Sequence, residues 1–274
     1  MPDEPSSTPH LPLPLRRFAA SALAALPALL LSASLLCPAH VSAAPEPGAP
    51  SPEAAQPFSP LEGLKFPSPA AFAELGPETA LFRESEAQAV RHGRLLRLWL
   101  PQHMARQYHG GSPDAVTRQI LLCAPEGQSR PLDAKDAELL ARSTEGLFIG
   151  FARIPRSSTD TPAQEEQNRA EALRSSLEKG RPLLVDSVRT STAFLHTCLL
   201  HFSMGEKKEN IFLPCALATA AVPVKDTVLF LTVSSLLGQD EAEPHLAWVK
   251  ETASAFADAL VKANRDGKKQ TSSR

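Results

Sequence analysis

Proline spacing limits where this chain can fold. Nine prolines lie between Ala44 and Pro77, in a stretch that is otherwise rich in Ala, Glu and Ser. Because proline lacks a backbone N–H and fixes φ, neither a regular helix nor a central strand fits there. We therefore predict a Pro/Ala-rich linker over residues 44–77, with a proline-binding recognition strip as the alternative to a spacer. We predict a single domain over residues 78–266, long enough for a hydrophobic core, and a disordered tail at 267–274.

The N-terminal segment has the parts of a secretory signal peptide. Arg16 and Arg17 supply positive charge, and residues 18–36 are apolar and uncharged. Small residues up to Ala43 fit signal peptidase cleavage. We therefore predict removal of residues 1–43 and a periplasmic or secreted mature protein. An uncleaved membrane anchor is the alternative, because an apolar run of this length can span a bilayer.

After the linker, apolar residues follow strand and helix periods in turn. Strands are predicted at residues 94–100, 117–124, 146–154, 181–187, 194–204, 211–222 and 227–235, and helices at 79–91, 132–142, 161–179 and 244–264. The last three strands follow one another in hairpins, and the last helix has one apolar stripe at three- and four-residue steps. This order predicts an α+β fold: a mainly antiparallel sheet with helices packed on it and a long C-terminal helix.

The C-terminal half resembles a known group of proteins. The hairpin at residues 218–235, with the run VPVKDTVLFLTVSS, leads into the helix at 244–264. This element order resembles the PsbP-like α-β-α sandwich over about the last 130 residues. The resemblance implies an exported accessory protein. It assigns no functional residues, because no functional set of that group is matched here.

Three cysteines follow the predicted signal peptide: Cys123, Cys198 and Cys215. If the hairpin turn pairs Gly205 with Lys208, Cys198 lies directly opposite Cys215 and both point into the core. They then form either a disulfide, which the exported compartment permits, or two buried thiols. Cys123 is predicted to be a buried thiol. The absence of Cys-x-x-Cys argues against redox catalysis and structural zinc.

One loop gathers polar side chains that could face a ligand: His103, Tyr108, His109 and Ser112. The string His109-Gly-Gly-Ser112 is similar to an oxyanion-hole loop, but no Gly-x-Ser-x-Gly elbow accompanies it. Exposed loop histidines and ordinary turn residues are the alternative. The sequence therefore assigns no catalytic, cofactor-binding or metal-ligating residue.

The charge balance and missing motifs narrow the function. A formal charge of −2 gives the chain no basic surface of the kind that binds nucleic acid. The sequence also has no P-loop and no dinucleotide-binding motif. We predict an exported, periplasmic, non-enzymatic accessory or binding protein without a cofactor, whose partner is another envelope protein or a small ligand. Membrane contact is expected only through an uncleaved N-terminal segment. The alternatives are a hydrolase using the His103–Ser112 loop and a membrane-anchored structural component of the envelope.

Overall fold

A computed structural model describes residues 61–69, 71–89, 93–111, 116–128, 130–204, 211–238 and 241–265. The elements are β1 (Phe72–Leu75), α1 (Ala80–Ala89), β2 (Arg94–Pro101), α2 (Gln102–His109), β3 (Arg118–Ala124), α3 (Ala134–Ser143), a 3-10 helix (Thr144–Phe148), β4 (Ala152–Arg153), α4 (Pro162–Lys179), β5 (Leu183–Arg189), β6 (Phe194–Met204), β7 (Ile211–Val224), β8 (Thr227–Leu236) and α5 (Ala242–Arg265). The predicted signal peptide, its cleavage site and Ser112 lie outside the described residues.

The strands form one eight-stranded sheet in the order β1-β2-β3-β8-β7-β6-β5-β4. Every neighbouring pair is antiparallel except β4 and β5, which are parallel. The three long strands β6, β7 and β8 follow one another in the chain and lie side by side. The predicted α+β class, with a mainly antiparallel sheet and a long C-terminal helix, is confirmed.

Helices cover both faces of the sheet. Along β7, Ala216, Ala218 and Val222 belong to the cluster that packs against α5 and Leu173 of α4, and we call this side the α5 face. Strand residues alternate between faces. Leu217 accordingly points to the other side, which we call the α3 face because α3 lies there with α1 and α2. With both faces covered, the central strands are apolar on both sides.

Local contacts fix the ends of α3 and α4. The Thr161 hydroxyl accepts from the Gln164 backbone N–H and Pro162 begins α4, while Gly180 ends that helix at φ 60. The Asp133 carboxylate caps α3 by accepting from the Asp136 N–H. Each of these contacts spans only a few residues, so the sequence alone determines it.

The predicted strand at residues 146–154 is wrong. Its first part is the 3-10 helix, and only Ala152–Arg153 pairs with β5. Phe148 is 1% exposed whereas Ile149 is 83% exposed, and Gly150 has a positive φ of 92. Because that backbone conformation favours glycine and breaks an extended strand, the apolar composition of the segment reflects one buried ring rather than a buried strand.

The folded domain begins earlier than residue 78. Residues 72–75, predicted as linker, form β1 and pair with Leu98–Pro101 of β2. Upstream of β1, Leu61, Leu64 and Phe66 pack against the α5 face. The Lys65 backbone N–H donates to the side-chain oxygen of Asn264 at 2.9 Å, and the Asn264 amide donates to the Lys65 carbonyl at 2.9 Å. This N-terminal arm, residues 61–69, is therefore part of the domain.

The predicted alignment of Cys198 with Cys215 is wrong by two residues. Cys198 lies opposite Leu217 and Cys215 opposite Leu200. The two thiols therefore share the α3 face as diagonal neighbours, with an expected Cα separation of about 7–8 Å, too long for a bridge. Both are free, so the disulfide alternative does not hold. Cys123 is buried and free as predicted, and burial raises the pKa of Cys123 and of Cys215 to about 12.

Candidate functional site

The described residues of the predicted ligand loop do not gather around one point. Residues 102–109 form α2, on which His103 and His109 are exposed to solvent. The Tyr108 hydroxyl accepts a hydrogen bond from the Leu81 backbone N–H at 3.1 Å, at the start of α1. Tyr108 is thus a helix-capping residue that holds α1 against α2. Ser112 cannot be placed, since it is outside the described residues.

A cavity lies on the α5 face, between strands β5 and β6 and the N-terminal half of α5. This cavity has a volume of about 430 Å³, and we call it the helix–strand cavity. Its lining comes from α4, β5, β6, the β5–β6 turn and α5: Arg169, Val185, Asp186, Val188, Thr190, Leu195, Thr197, Leu246, Ala247, Lys250, Glu251 and Ser254. It exists because α5 packs mainly on β7 and β8 and covers β6 less closely.

The floor of the helix–strand cavity is apolar. Val185 and Leu195 are buried side chains of β5 and β6, and Leu246 of α5 faces them. A register shift in β5 between Leu184 and Asp186 places Val185 in a β-bulge. Bulges redirect side chains, and this one puts the Asp186 carboxylate on the same face as Val185. An acidic group therefore stands beside an apolar floor.

Thr197 is the feature that singles out this cavity. Its side chain is 2% exposed and borders the cavity, and its hydroxyl has no hydrogen-bond partner. Buried polar groups are nearly always paired, and an unpaired one costs about 1–3 kcal/mol. Because Thr197 lines the cavity, a ligand bound there is the group best placed to supply the missing hydrogen bond.

Three of the four charged side chains that line the cavity form ion pairs. The Lys250 ammonium donates to the Asp186 carboxylate at 2.5 Å, and Arg156 lies 3.8 Å from the same carboxylate. Arg169 donates two hydrogen bonds to Glu243, at 2.6 and 2.7 Å, and these bonds raise the pKa of Arg169. These ion pairs join α4 to α5 and β5 to α5, and they leave the rim close to electrically neutral.

Sequence reasoning missed this site for identifiable reasons. Thr197 is a lone hydroxyl in an apolar strand, which is a weak signal without its surroundings. Lys250 interrupts the apolar stripe of α5 between Val249 and Ala253, and this was the one readable sign that the helix does not pack tightly there. The bulge at Val185 leaves no mark in the sequence.

Comparisons with known proteins add no assignment: no family model, no curated protein and no solved structure matches the chain. In the part of the chain that the structure describes, no helix is long and apolar enough to cross a membrane. Nor do three or more His, Cys, Asp or Glu side chains there come together in a way that could hold a metal ion.

Proposed function

We propose that this protein is an exported accessory protein that binds a small amphipathic ligand in the helix–strand cavity. The observation that carries the proposal is the buried, unpaired hydroxyl of Thr197, a residue that lines a cavity of about 430 Å³. Small-molecule sites are typically concave and mostly apolar, with volumes of roughly 300–1,000 Å³ and a few polar groups that orient the ligand. The cavity has each of these properties.

The lining indicates the chemical class of the ligand. Val185, Val188 and Leu195 offer an apolar surface for the body of a small molecule. The Thr197 hydroxyl can donate a hydrogen bond to, or accept one from, an uncharged polar group at the inner end of that molecule. Because Lys250 and Arg169 are already paired with carboxylates, the rim offers little excess charge to an ionised ligand. We therefore propose a neutral amphipathic compound.

The compartment follows from the N-terminal segment. The positive start, apolar run and small-residue site support export and cleavage near Ala43. Intact mass of the protein recovered from the periplasm tests this proposal: a mature chain beginning at Ala44 supports it. A retained N-terminus in the membrane fraction would instead indicate the anchored alternative.

Ligand binding can be tested with N-phenyl-1-naphthylamine, a neutral fluorescent compound with one N–H group. We expect a saturable fluorescence increase with one site per chain. Ala247→Trp places a ring at the cavity wall and should abolish the increase, whereas Ala255→Trp, at an exposed position of the same helix outside the cavity lining, should leave it unchanged. Equal binding by both variants would show that the probe does not enter the helix–strand cavity.

A further inference from the structure

A chain of hydrogen bonds on the α3 face joins three residues that are far apart in the sequence. The Ser187 hydroxyl of β5 lies 2.9 Å from Nδ1 of His196 on β6. Nε2 of the same imidazole lies 3.0 Å from the Thr144 hydroxyl, which in turn donates to the Ala141 carbonyl at 2.6 Å. His196 is 2% exposed, whereas Ser187 is exposed to solvent. One end of the chain is therefore accessible from outside.

The direction of each hydrogen bond follows from counting protons. The single hydroxyl proton of Thr144 is used on the Ala141 carbonyl, so Thr144 can only accept from His196. Nε2 of His196 therefore carries the proton, and in the neutral imidazole Nδ1 is left as the acceptor. The Ser187 hydroxyl donates to Nδ1. This is the arrangement in which an imidazole can take a proton from a serine.

The surroundings keep the imidazole neutral, so that it is free to accept that proton. Burial lowers the pKa of His196, against an opposing effect of Glu145 and with a smaller lowering by Arg153, so the imidazole is neutral near pH 7. Thr144 directly follows α3, and Ala141 is in the last turn of that helix. The carbonyl end of a helix carries partial negative charge, which stabilises an imidazolium formed beside it. The end of α3 thus occupies the place that a carboxylate takes in a serine–histidine–acid triad.

A second cavity gives a reactant access to Ser187. It has a volume of about 340 Å³. It lies at the edge of the sheet, between β5 and the residues that follow β4. Its lining is Arg153, Ile154, Arg156, Leu184, Val185, Asp186 and Ser187. Arg153 is exposed and forms no ion pair with any acidic side chain in the described part of the chain. Its guanidinium can therefore attract a negatively charged group to the opening beside Ser187.

We propose that Ser187 is a nucleophile for acyl transfer from small carboxylic esters, with His196 as its general base and Thr144 as a positioning residue. Oγ of Ser187 forms a bond to the acyl carbon while the carbon–oxygen bond to the leaving alcohol breaks. The serine proton passes to Nδ1 of His196 and then to the departing alkoxide, giving an acyl-serine and an alcohol. Attack by water, with its proton taken by the same nitrogen, returns the free serine and a carboxylic acid.

Ser187 and His196 lie on the opposite face of the sheet from Thr197, because His196 and Thr197 are consecutive in β6. The two cavities meet only at the edge strand, where both are lined by Val185 and Asp186. Acylation of Ser187 and ligand binding at Thr197 therefore depend on different polar side chains.

Acylation can be read at one residue by mass spectrometry. The full chain is incubated with 4-nitrophenyl acetate, 4-nitrophenolate release is followed, and the protein is digested with trypsin. The peptide from Gly180 to Arg189 contains Ser187 as its only side chain with a hydroxyl, thiol, amino or imidazole group, because the Arg181–Pro182 bond resists trypsin. We expect one acetyl group on this peptide, appearing faster than on the following peptide, which contains the exposed Ser191.

Variants separate the chemistry from folding. His196→Asn should slow acetylation of Ser187 about a hundredfold, the usual scale of general-base catalysis. Should that variant fail to unfold cooperatively in urea, Thr144→Val and Thr144→Ser provide the comparison: valine removes the acceptor for Nε2 and should slow the reaction, while serine keeps it and should not. Equal acetylation in the parent, Thr144→Val and Thr144→Ser proteins, or labelling of Ser187 no faster than Ser191, would overturn the proposal.

Discussion

His196 and Thr197 are neighbours in β6, yet their surroundings differ in a way that explains both proposals. On the α3 face, both ring nitrogens of His196 have hydrogen-bond partners, and the ring also packs 4.8 Å from that of Phe148. On the α5 face, the equally buried hydroxyl of Thr197 has none. A satisfied buried polar group contributes to stability, whereas an unsatisfied one costs free energy unless a ligand completes it. His196 thus contributes to the stability of the fold, whereas the adjacent Thr197 is available to bind a ligand.

Removing the side chain of His196, whose ring nitrogens both have hydrogen-bond partners, should have the largest effect on stability. His196→Ala deletes two hydrogen bonds and the contact with Phe148, and it leaves a cavity under α3. We expect the free energy of unfolding to fall by about 2–3 kcal/mol. Urea titration followed by circular dichroism measures it. A loss below about 0.5 kcal/mol would mean that the hydrogen-bond chain contributes little to the fold.

Lowering the pH should weaken the fold through buried imidazoles. Burial lowers the pKa of both His196 and His201 below the ordinary value of 6.5, and neither ring nitrogen of His201 has a partner. The unfolded chain therefore binds protons at a pH where the folded chain does not. The stability is fully present above 6.5 and is lost as the pH falls below it.

The urea midpoints at about pH 7.5 and about pH 5.5 test this expectation. His201→Leu should reduce the difference between the two midpoints, because it removes one of the two groups. The same midpoint for the parent protein at both pH values would contradict the assignment of neutral buried histidines.

Replacing Thr197, whose hydroxyl has no hydrogen-bond partner, should raise the free energy of unfolding instead of lowering it. Thr197→Val keeps the shape of the side chain and removes a buried hydroxyl that has no partner. We expect a gain in stability of about 1 kcal/mol together with weaker binding of N-phenyl-1-naphthylamine. Thr219→Val is the matched control, since its buried hydroxyl also lacks a partner but faces the other side of the sheet. A variant at Thr197 that is less stable and binds equally well would remove the argument for the site.

The smallest effect is expected at the rim of the helix–strand cavity. Arg169 and Glu243 form a bidentate ion pair between α4 and α5, but both side chains are substantially exposed to solvent. Arg169→Gln should therefore lower the stability by only about 0.5 kcal/mol, and less at high salt. A loss above about 2 kcal/mol would show that this pair, rather than apolar packing, holds α4 in place.

What the sequence could predict depended on how far each contact reaches. The caps at Asp133 and Thr161 involve residues within a few positions of one another. The apolar stripe of α5 is equally local, and its prediction is correct. The pairing of Cys198 was wrong because it depends on where the β6–β7 turn begins, and β6 and β7 still pair at Met204 and Ile211. A two-residue error in that turn kept the face of each cysteine and changed only its neighbour.

Apart from Lys250 in the apolar stripe of α5, nothing in the sequence indicates the candidate sites. Thr144 and His196 are 52 positions apart, and no local pattern connects a helix end to a distant strand. The bulge at Val185 is equally silent in the sequence, although it positions Asp186 beside the helix–strand cavity. By contrast, the string around His109 looked like a site because its residues are adjacent, but the structure uses Tyr108 to cap a helix.

The amide of Asn264 has a mechanical consequence. It joins the N-terminal arm at Lys65 to the last turn of α5, where it also donates to the Leu260 carbonyl at 2.8 Å. Tension applied to the segment before residue 61 would therefore load the hydrogen bond from Lys225 to the Gly63 carbonyl and then the Lys65–Asn264 hydrogen bonds, before it reaches the edge strand β1. If the protein is pulled by that segment, rupture should begin along the N-terminal arm, leaving the central hairpins β6 to β8 under load last.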